Sequence, residues 1–344
     1  MMETLKNKPE RKIWIDYVKV LGMVLIVWGH CSPSHLSAFA YAFDVQLFFW
    51  VSGYLTKNKV LPWKKFNLKI LMTLIVPMLL ICLIALCLSA LLGRSQWSNF
   101  PMSLLLVLSG FHSWNGLPGC GAMWFVYSLM IIRVIHNMTA GKYKIQLLLS
   151  VLFLVACTFI AKQELGITNA WVDVLIAYPF FFIGNWCANV GNNHIVNKLA
   201  GITPPRIGMS AKLLIISCLF FSVYAISCVN GIAYMYLGAY GKSMLLFIIG
   251  SLLGILMMVM ISGLLENTHK KEISILSSGT ILMLGFQSHF FRLLTAILVK
   301  LGIERDFWSF DILTFVGSIG IVVAFYPIIL LTKRYCPILM GMRK

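Results

Sequence analysis

Apolar runs recur along the whole chain, near 13–31, 38–55, 68–92, 120–138, 145–161, 171–190, 211–230, 243–265, 277–299 and 311–332, each closed by a short polar connection. A helix rising about 1.5 Å per residue needs about 20 apolar residues to cross hydrocarbon, so the pattern predicts one crossing per run. The runs at 38–55 and 145–161 are short for this purpose. A further stretch, Met102–Phe111, is too brief to span and is read as a re-entrant or interfacial helix beside the long 93–119 connection. The prediction is an all-α integral membrane protein, a bundle of about ten transmembrane helices in a single domain over 1–344. No internal repeat or low-complexity linker divides it.

Charge tests the span count independently, because cationic residues gather in alternate connections only when the crossings are drawn correctly. One set of connections holds Lys6, Lys8, Arg11 and Lys12, then Lys57, Lys59, Lys64, Lys65 and Lys69, then Lys142 and Lys144, then Lys198, Arg206 and Lys212, then Lys270 and Lys271. Lys333, Arg334, Arg343 and Lys344 complete that set, whereas the other set holds only Arg94, Lys162, Lys242, Lys300 and Arg305. The bias predicts that both termini are cytoplasmic, as a short basic N-terminus (1–12) and a short basic tail (333–344). Composition agrees: 60% hydrophobic and 11% charged residues, with a mean hydropathy of +0.88, exclude a soluble domain. The net charge of +17 is thereby assigned to topology, not to nucleic acid. Nine Cys residues, without CxxC or Cys/His ligand spacing, read as apolar filler and predict no metal site.

Ionisable residues within the apolar runs cost about 2.5–3.5 kcal/mol each on insertion scales and are therefore candidates for function. They are Asp16, Lys19, His30, Asp44, Arg133, His136, Asp173, His289, Arg292 and Asp311. Lys19 taken alone, His136 and Asp311 lie near enough to run ends to be read as snorkelling to an interface. In the first run Lys19 and His30 are eleven positions apart, about three helical turns, and Asp16 falls on nearly the same face. That face makes a polar path through the membrane, with Lys19 in the cytoplasmic half and His30 near the external end. The alternative is a Lys19–Asp16 pair with His30 satisfied by packing. The second run returns inward, so Asp44 enters near the level of His30 while Ser52 and Gly53 reach the cytoplasmic side. A carboxylate beside an imidazole fixes its tautomer and supports a general base; Ser-Gly can equally serve close helix packing.

Three stretches resemble membrane acyltransferase family 3, the group that includes exopolysaccharide and lipopolysaccharide O-acetyltransferases and fucose 4-O-acetylase-like proteins. RKIWIDYVKVLGMVLIVWGH, Arg11 to His30, carries an Ile-Asp and a basic residue separated from a His by ten residues. FDVQLFFWVSGYL, Phe43 to Leu55, is followed by a basic stretch and Pro77, and AMWFV spans Ala122–Val126. A fourth, weaker match is SSGTILMLGFQSHFF, Ser277 to Phe291, with His289 at a late-span His position. The chain departs from the family pattern at Lys19, usually Arg, at Gln46, commonly Pro or Asp, and at Thr73, where Arg is usual a few residues before the Pro.

The resemblance implies acyl transfer, usually of acetyl from cytoplasmic acetyl-CoA as a co-substrate, to a hydroxyl of a cell-surface or lipid-linked glycan, in a bacterial inner membrane. No permanently bound cofactor is implied. Under it, His30 is the general base, or less favourably a transient acyl carrier, and Asp44 supports it. Lys65, Lys69, Lys19 and Arg133 are candidate phosphate partners of the donor, although lysines at 65 and 69 also serve topology. Trp124 and His289 are candidates for the acceptor side, against interfacial anchoring and core packing, while Asp16 and Ser52 are supporting residues. The rival readings are a transporter or flippase for a lipid-linked sugar, which buried His, Asp and Arg would also suit, and a non-catalytic subunit of a polysaccharide synthase.

Overall fold

The computed structural model describes residues 11–31, 36–110, 120–162, 170–189, 208–268, 270–303 and 308–342. Among them the structure is helical, and the one β pairing is an isolated antiparallel bridge between Tyr234 and Ala239. Among the described residues eight helices are long and apolar enough to cross a membrane. They are α1 (Ile13–Cys31), α4 (Trp63–Leu91), α7 (Tyr143–Lys162), α8 (Ala170–Asn189), α9 (Met209–Asn230), α10 (Met244–Leu264), α12 (Thr280–Lys300) and α13 (Trp308–Tyr335). Shorter helices are α2 (Ser37–Tyr41), α3 (Asp44–Tyr54), α5 (Phe100–Ser109), α6 (Trp124–Thr139) and α11 (Lys271–Ser278).

Several predicted runs are resolved differently in detail, each for a local reason. The 38–55 run is two helices, broken at Phe43. Asp44 starts the second, its Oδ1 accepting the Val45 N–H at 2.6 Å, one of the N-terminal donors that a helix leaves without a partner. The Ser251 hydroxyl takes the Ala42 carbonyl at 2.7 Å. The third run starts at Trp63 and contains a π turn over Leu71–Ile75. Pro77 explains the turn: proline lacks an N–H and its ring crowds the carbonyl four residues earlier, here Thr73 within the turn. The 277–299 run breaks at Gly279 between α11 and α12. Met102 to Ser109 falls in α5, which exposes Met102, Leu105 and Leu108; residues 111–119 of the 93–119 connection lie outside the described residues, as do 1–10 and 343–344.

Burial sorts the helices. In α1, 72% of the best apolar window is buried, against 17% in α7 and 22% in α9, so α1 is central and the other two are peripheral. The peripheral pair exposes Leu147, Leu148, Leu152, Phe159, Leu214 and Phe221, the surface a hydrocarbon solvent accepts without cost. Around α1 the core has two halves. Trp14, Val18 and Leu25 pack with Phe49, Phe180 and Met258 of α3, α8 and α10. Met23, Ile26 and Val27 pack with Ile81, Met283 and Phe325 of α4, α12 and α13. A polar helix at the centre of a membrane bundle faces protein on every side, which is where ionisable side chains are tolerated.

Among the described helices α3 packs most extensively against α8. A Cβ on Gly53 would lie 1.9 Å from the carbonyl oxygen of Phe181, and one on Gly184 would lie 2.0 Å from that of Trp50. The two backbones touch because both positions lack a side chain, the small-residue packing expected for Ser52–Gly53. Asn185 then donates to the Gly53 carbonyl at 3.1 Å and to the Thr56 carbonyl at 2.5 Å, tying the end of α3 to α8.

Candidate active site

A cavity of about 330 Å³ runs between the two core halves. Lys19, Met23, Ile26 and His30 of α1 line it on one side, spaced three or four residues apart as one helical face must be. Ser52 of α3, Trp124 and Arg133 of α6, Thr73 of the π turn and Ser277 of α11 close the other sides. Five of the sequence-predicted residues, Lys19, His30, Ser52, Trp124 and Arg133, therefore meet in one cavity. Lys19 and His30 mark its length, about 16 Å along α1 at about 1.5 Å per residue.

His30 sits in the last turn of α1, and its Nδ1 lies 2.7 Å from the Ile26 carbonyl. A carbonyl only accepts, so Nδ1 carries the proton of the neutral ring and Nε2 keeps the lone pair. The ring packs between Tyr41 and Phe291, each with its centroid 5.7 Å away. The predicted Asp44–His30 hydrogen bond is not formed among the described residues. Asp44 is 1% exposed, spends Oδ1 on the Val45 N–H and leaves Oδ2 buried without a donor. It packs against α1 at Gly29, where a Cβ would come 3.7 Å from Oδ2. Tautomer control, expected of Asp44, thus falls to the helix carbonyl four residues before His30, because the end of α1 offers that acceptor without help from another segment.

The other end of the cavity is cationic. Lys19 and Arg133 face it from α1 and α6, and Arg133 Nε is buried without a hydrogen-bond partner. Asp16 does not pair with Lys19. Its carboxylate accepts from Arg11 at 2.6 and 3.0 Å, from Ser277 at 2.6 Å and from Ser274 at 3.1 Å, leaving the Lys19 ammonium without an ion pair among the described residues. Lys69 is exposed but close enough to feel repulsion from Arg133 and from Lys57, whereas Lys65 is exposed on the first turn of α4 and does not line the cavity. Beside the start of α1, burial pushes the Glu266 carboxyl up from its usual range, opposed by the N–H groups of Trp14 and Ile13.

Replacing Asp16 with alanine is expected to cost about 2–3 kcal/mol, since the Arg11 guanidinium and two serine hydroxyls lose a charged acceptor. Thermal unfolding in detergent should show a drop of several degrees. An unchanged midpoint would remove Asp16 from the account of this wall.

His289 is not in the cavity. Its Nδ1 accepts from Arg94 at 2.8 Å, and its Nε2 is buried without a partner. His136 and Asp311 are corrected: they are 4% and 2% exposed and do not snorkel. His136 is enclosed by the 57–61 connection and by Gln146 of α7, while the Asp311 carbonyl accepts from Trp28. Cavity residues outside the matched stretches include Leu74, Leu129, Met340 and Met342. The two methionines come from the tail, which folds back so that a Cβ on Gly341 would lie 2.7 Å from the Thr73 carbonyl. The described residues hold no group of three or more His, Cys, Asp or Glu able to bind a metal ion, and all nine cysteines are free.

A helical membrane bundle with a half-buried histidine and two half-buried cations around one cavity defines the class of the chain as a polytopic membrane protein with an internal polar site. The family model described as "Acyltransferase domain" matches residues 12–327, and the chain accordingly belongs to membrane acyltransferase family 3. No curated protein and no solved structure matches it.

Proposed function

We propose that the protein transfers an acyl group, acetyl from acetyl-CoA, to a hydroxyl of a cell-surface or lipid-linked glycan in a bacterial inner membrane. The observation that carries this reading is the single cavity with Lys19 and Arg133 at one end and His30 at the other. A multiply anionic donor is drawn to the cationic end, and phosphate accepts charge-assisted hydrogen bonds from an arginine or lysine held there. At the far end Nε2 of His30 takes the proton of the acceptor hydroxyl as its oxygen bonds to the thioester carbonyl carbon. The carbon–sulfur bond then breaks, and the departing thiolate recovers the proton from the imidazolium. Asp44, buried against Gly29 next to His30, supports the base by packing against the end of α1 that carries it.

This reading takes the basic end as cytoplasmic, with both termini there and α3 and α6 completing ten crossings. Supporting it, the described segments near 12–17, 54–61, 137–141 and 268 are joined to one another by hydrogen bonds. Lys12 donates to the Tyr54 hydroxyl, Tyr17 to the Thr268 carbonyl, Asn137 to the Leu61 carbonyl, and Gly141 to Asn58.

The test is transfer of radiolabel from acetyl-CoA to surface glycan in membranes carrying the protein. Lys19→Ala and Arg133→Ala are each expected to raise KM for acetyl-CoA about tenfold, since a hydrogen bond to a charged group is worth about 1.5–3 kcal/mol. No label transferred by the native protein would overturn the reading.

A further inference from the structure

A chain of aromatic rings leaves the cavity at the His30 end and returns to it. His30 meets Tyr41 at 5.7 Å between centroids, Tyr41 meets Tyr234 at 5.3 Å, Tyr234 meets Tyr236 at 6.1 Å, and Tyr236 meets Trp124 at 6.5 Å. His30 and Trp124 are cavity-lining residues. Tyr234 and Tyr236 belong to neither a helix of the bundle nor a sequence motif; they stand on the connection between α9 and α10.

That connection is a built support. Tyr234 bridges Ala239, and a short 3-10 turn, Met235–Leu237, lies between them. Asn230 closes the base: its Nδ2 donates to the Tyr240 carbonyl at 2.9 Å, its Oδ1 accepts the Ser243 N–H at 2.7 Å and its carbonyl accepts the Lys242 N–H at 2.8 Å. The Tyr240 hydroxyl accepts from Cys157 at 3.0 Å, fixing the connection to α7. Such anchoring holds Tyr234 and Tyr236 in place, as a binding surface requires. Yet all four rings, Tyr41, Tyr234, Tyr236 and Trp124, are only half-buried, unlike the core aromatics Phe43, Phe49 and Phe180. Beside Tyr41, within electrostatic reach, lies the Asp44 carboxylate with Oδ2 lacking a donor.

We infer that Tyr41, Tyr234, Tyr236 and Trp124 form the acceptor-sugar subsite, holding a pyranose unit of the glycan at the His30 end of the cavity. The inference rests on the acyl-transfer reading above and names the surface that reading lacks. Pyranoses present an apolar C–H face and a rim of hydroxyls. Partly exposed tyrosine and tryptophan rings match the face, and tyrosine hydroxyls, which both donate and accept, match the rim. A few fixed polar groups among aromatic walls are the general form of a site for such a ligand.

The test compares native protein with Tyr234→Ala, Tyr236→Ala and the ring-retaining Tyr234→Phe in the radiolabel assay, varying glycan and acetyl-CoA separately. Melting temperature in detergent checks folding. Binding of oligosaccharides released by mild acid from the host's own surface glycan is followed in parallel by saturation-transfer NMR. Expected are a rise of at least tenfold in KM for glycan in both alanine variants, an unchanged KM for acetyl-CoA, and a much smaller rise in Tyr234→Phe. KM for glycan within twofold of native, or a change confined to acetyl-CoA, overturns the subsite and leaves acyl transfer standing. Oligosaccharide binding that depends on the tyrosines without any transfer upholds the subsite and overturns the transfer reading; neither binding nor transfer overturns both. If the alanine variants melt early, Tyr234→Leu and Tyr236→Leu, which keep apolar bulk in the connection but lack the ring, take their place under the same two outcomes.

Discussion

Replacing His30 with alanine is expected to lower acyl transfer by about 10²–10⁴-fold, the usual contribution of a positioned general acid–base group. The protein should remain folded, because the ring is half-buried at a helix end and its one hydrogen bond goes to its own helix at Ile26. KM for acetyl-CoA should hold near the native value, since Lys19 and Arg133 stand at the opposite end of the cavity. The rate of the native protein should rise with pH as the imidazole loses its proton, and the residual rate of the variant should lose that rise. Turnover within about fivefold of native at matched expression would remove His30 from the proton-transfer step.

An alanine at Gly53 or Gly184 is expected to be the most damaging of small substitutions to the fold. Overpacking a filled interior costs about 1–3 kcal/mol where side chains can rotate away. Here the added methyl meets backbone carbonyl oxygens at 1.9 and 2.0 Å, so α3 and α8 must separate. Separation also stretches the bonds from Asn185 to the Gly53 and Thr56 carbonyls. Little folded protein should accumulate in the membrane, and what is extracted should melt well below native. Ser52→Ala, on the cavity-facing side of the same turn, should keep the native melting temperature. Equal accumulation and melting of Gly53→Ala and native protein would show that the two helices have slack that the structure does not contain.

The helical bundle and the polar face of α1 were legible in the sequence because both depend on local spacing. Apolar run length marks a span, and positions 19, 23, 26 and 30 share one side of any α-helix. Breaks at Phe43 and Gly279 were not legible, since hydropathy averages a window while a break depends on single contacts, such as Ser251 on the Ala42 carbonyl. Partnerships between distant segments were equally hidden. The spacing offers Asp16 a pair with Lys19, one turn along, as one of two readings, but its donors are Arg11 and two serines more than 250 residues away. Nearness to run ends points His136 and Asp311 to an interface, whereas α7 packs over the first and Trp28 of α1 reaches the second. Tyr234 and Tyr236 gave no signal at all, because a tyrosine in a connection acquires meaning only from the ring it stands beside.

The glycine seam between α3 and α8 has a consequence for how the cavity can open. Its α3 wall is fastened to a neighbouring helix backbone to backbone, leaving no side-chain layer to repack, so that wall cannot swing. The opposite wall is made of interrupted pieces: α4 with its π turn, α11 and α12 divided at Gly279, and a tail folded over Thr73. Any breathing that admits a substrate and later frees a product therefore falls to that side, with α3 as the fixed jamb against which it moves.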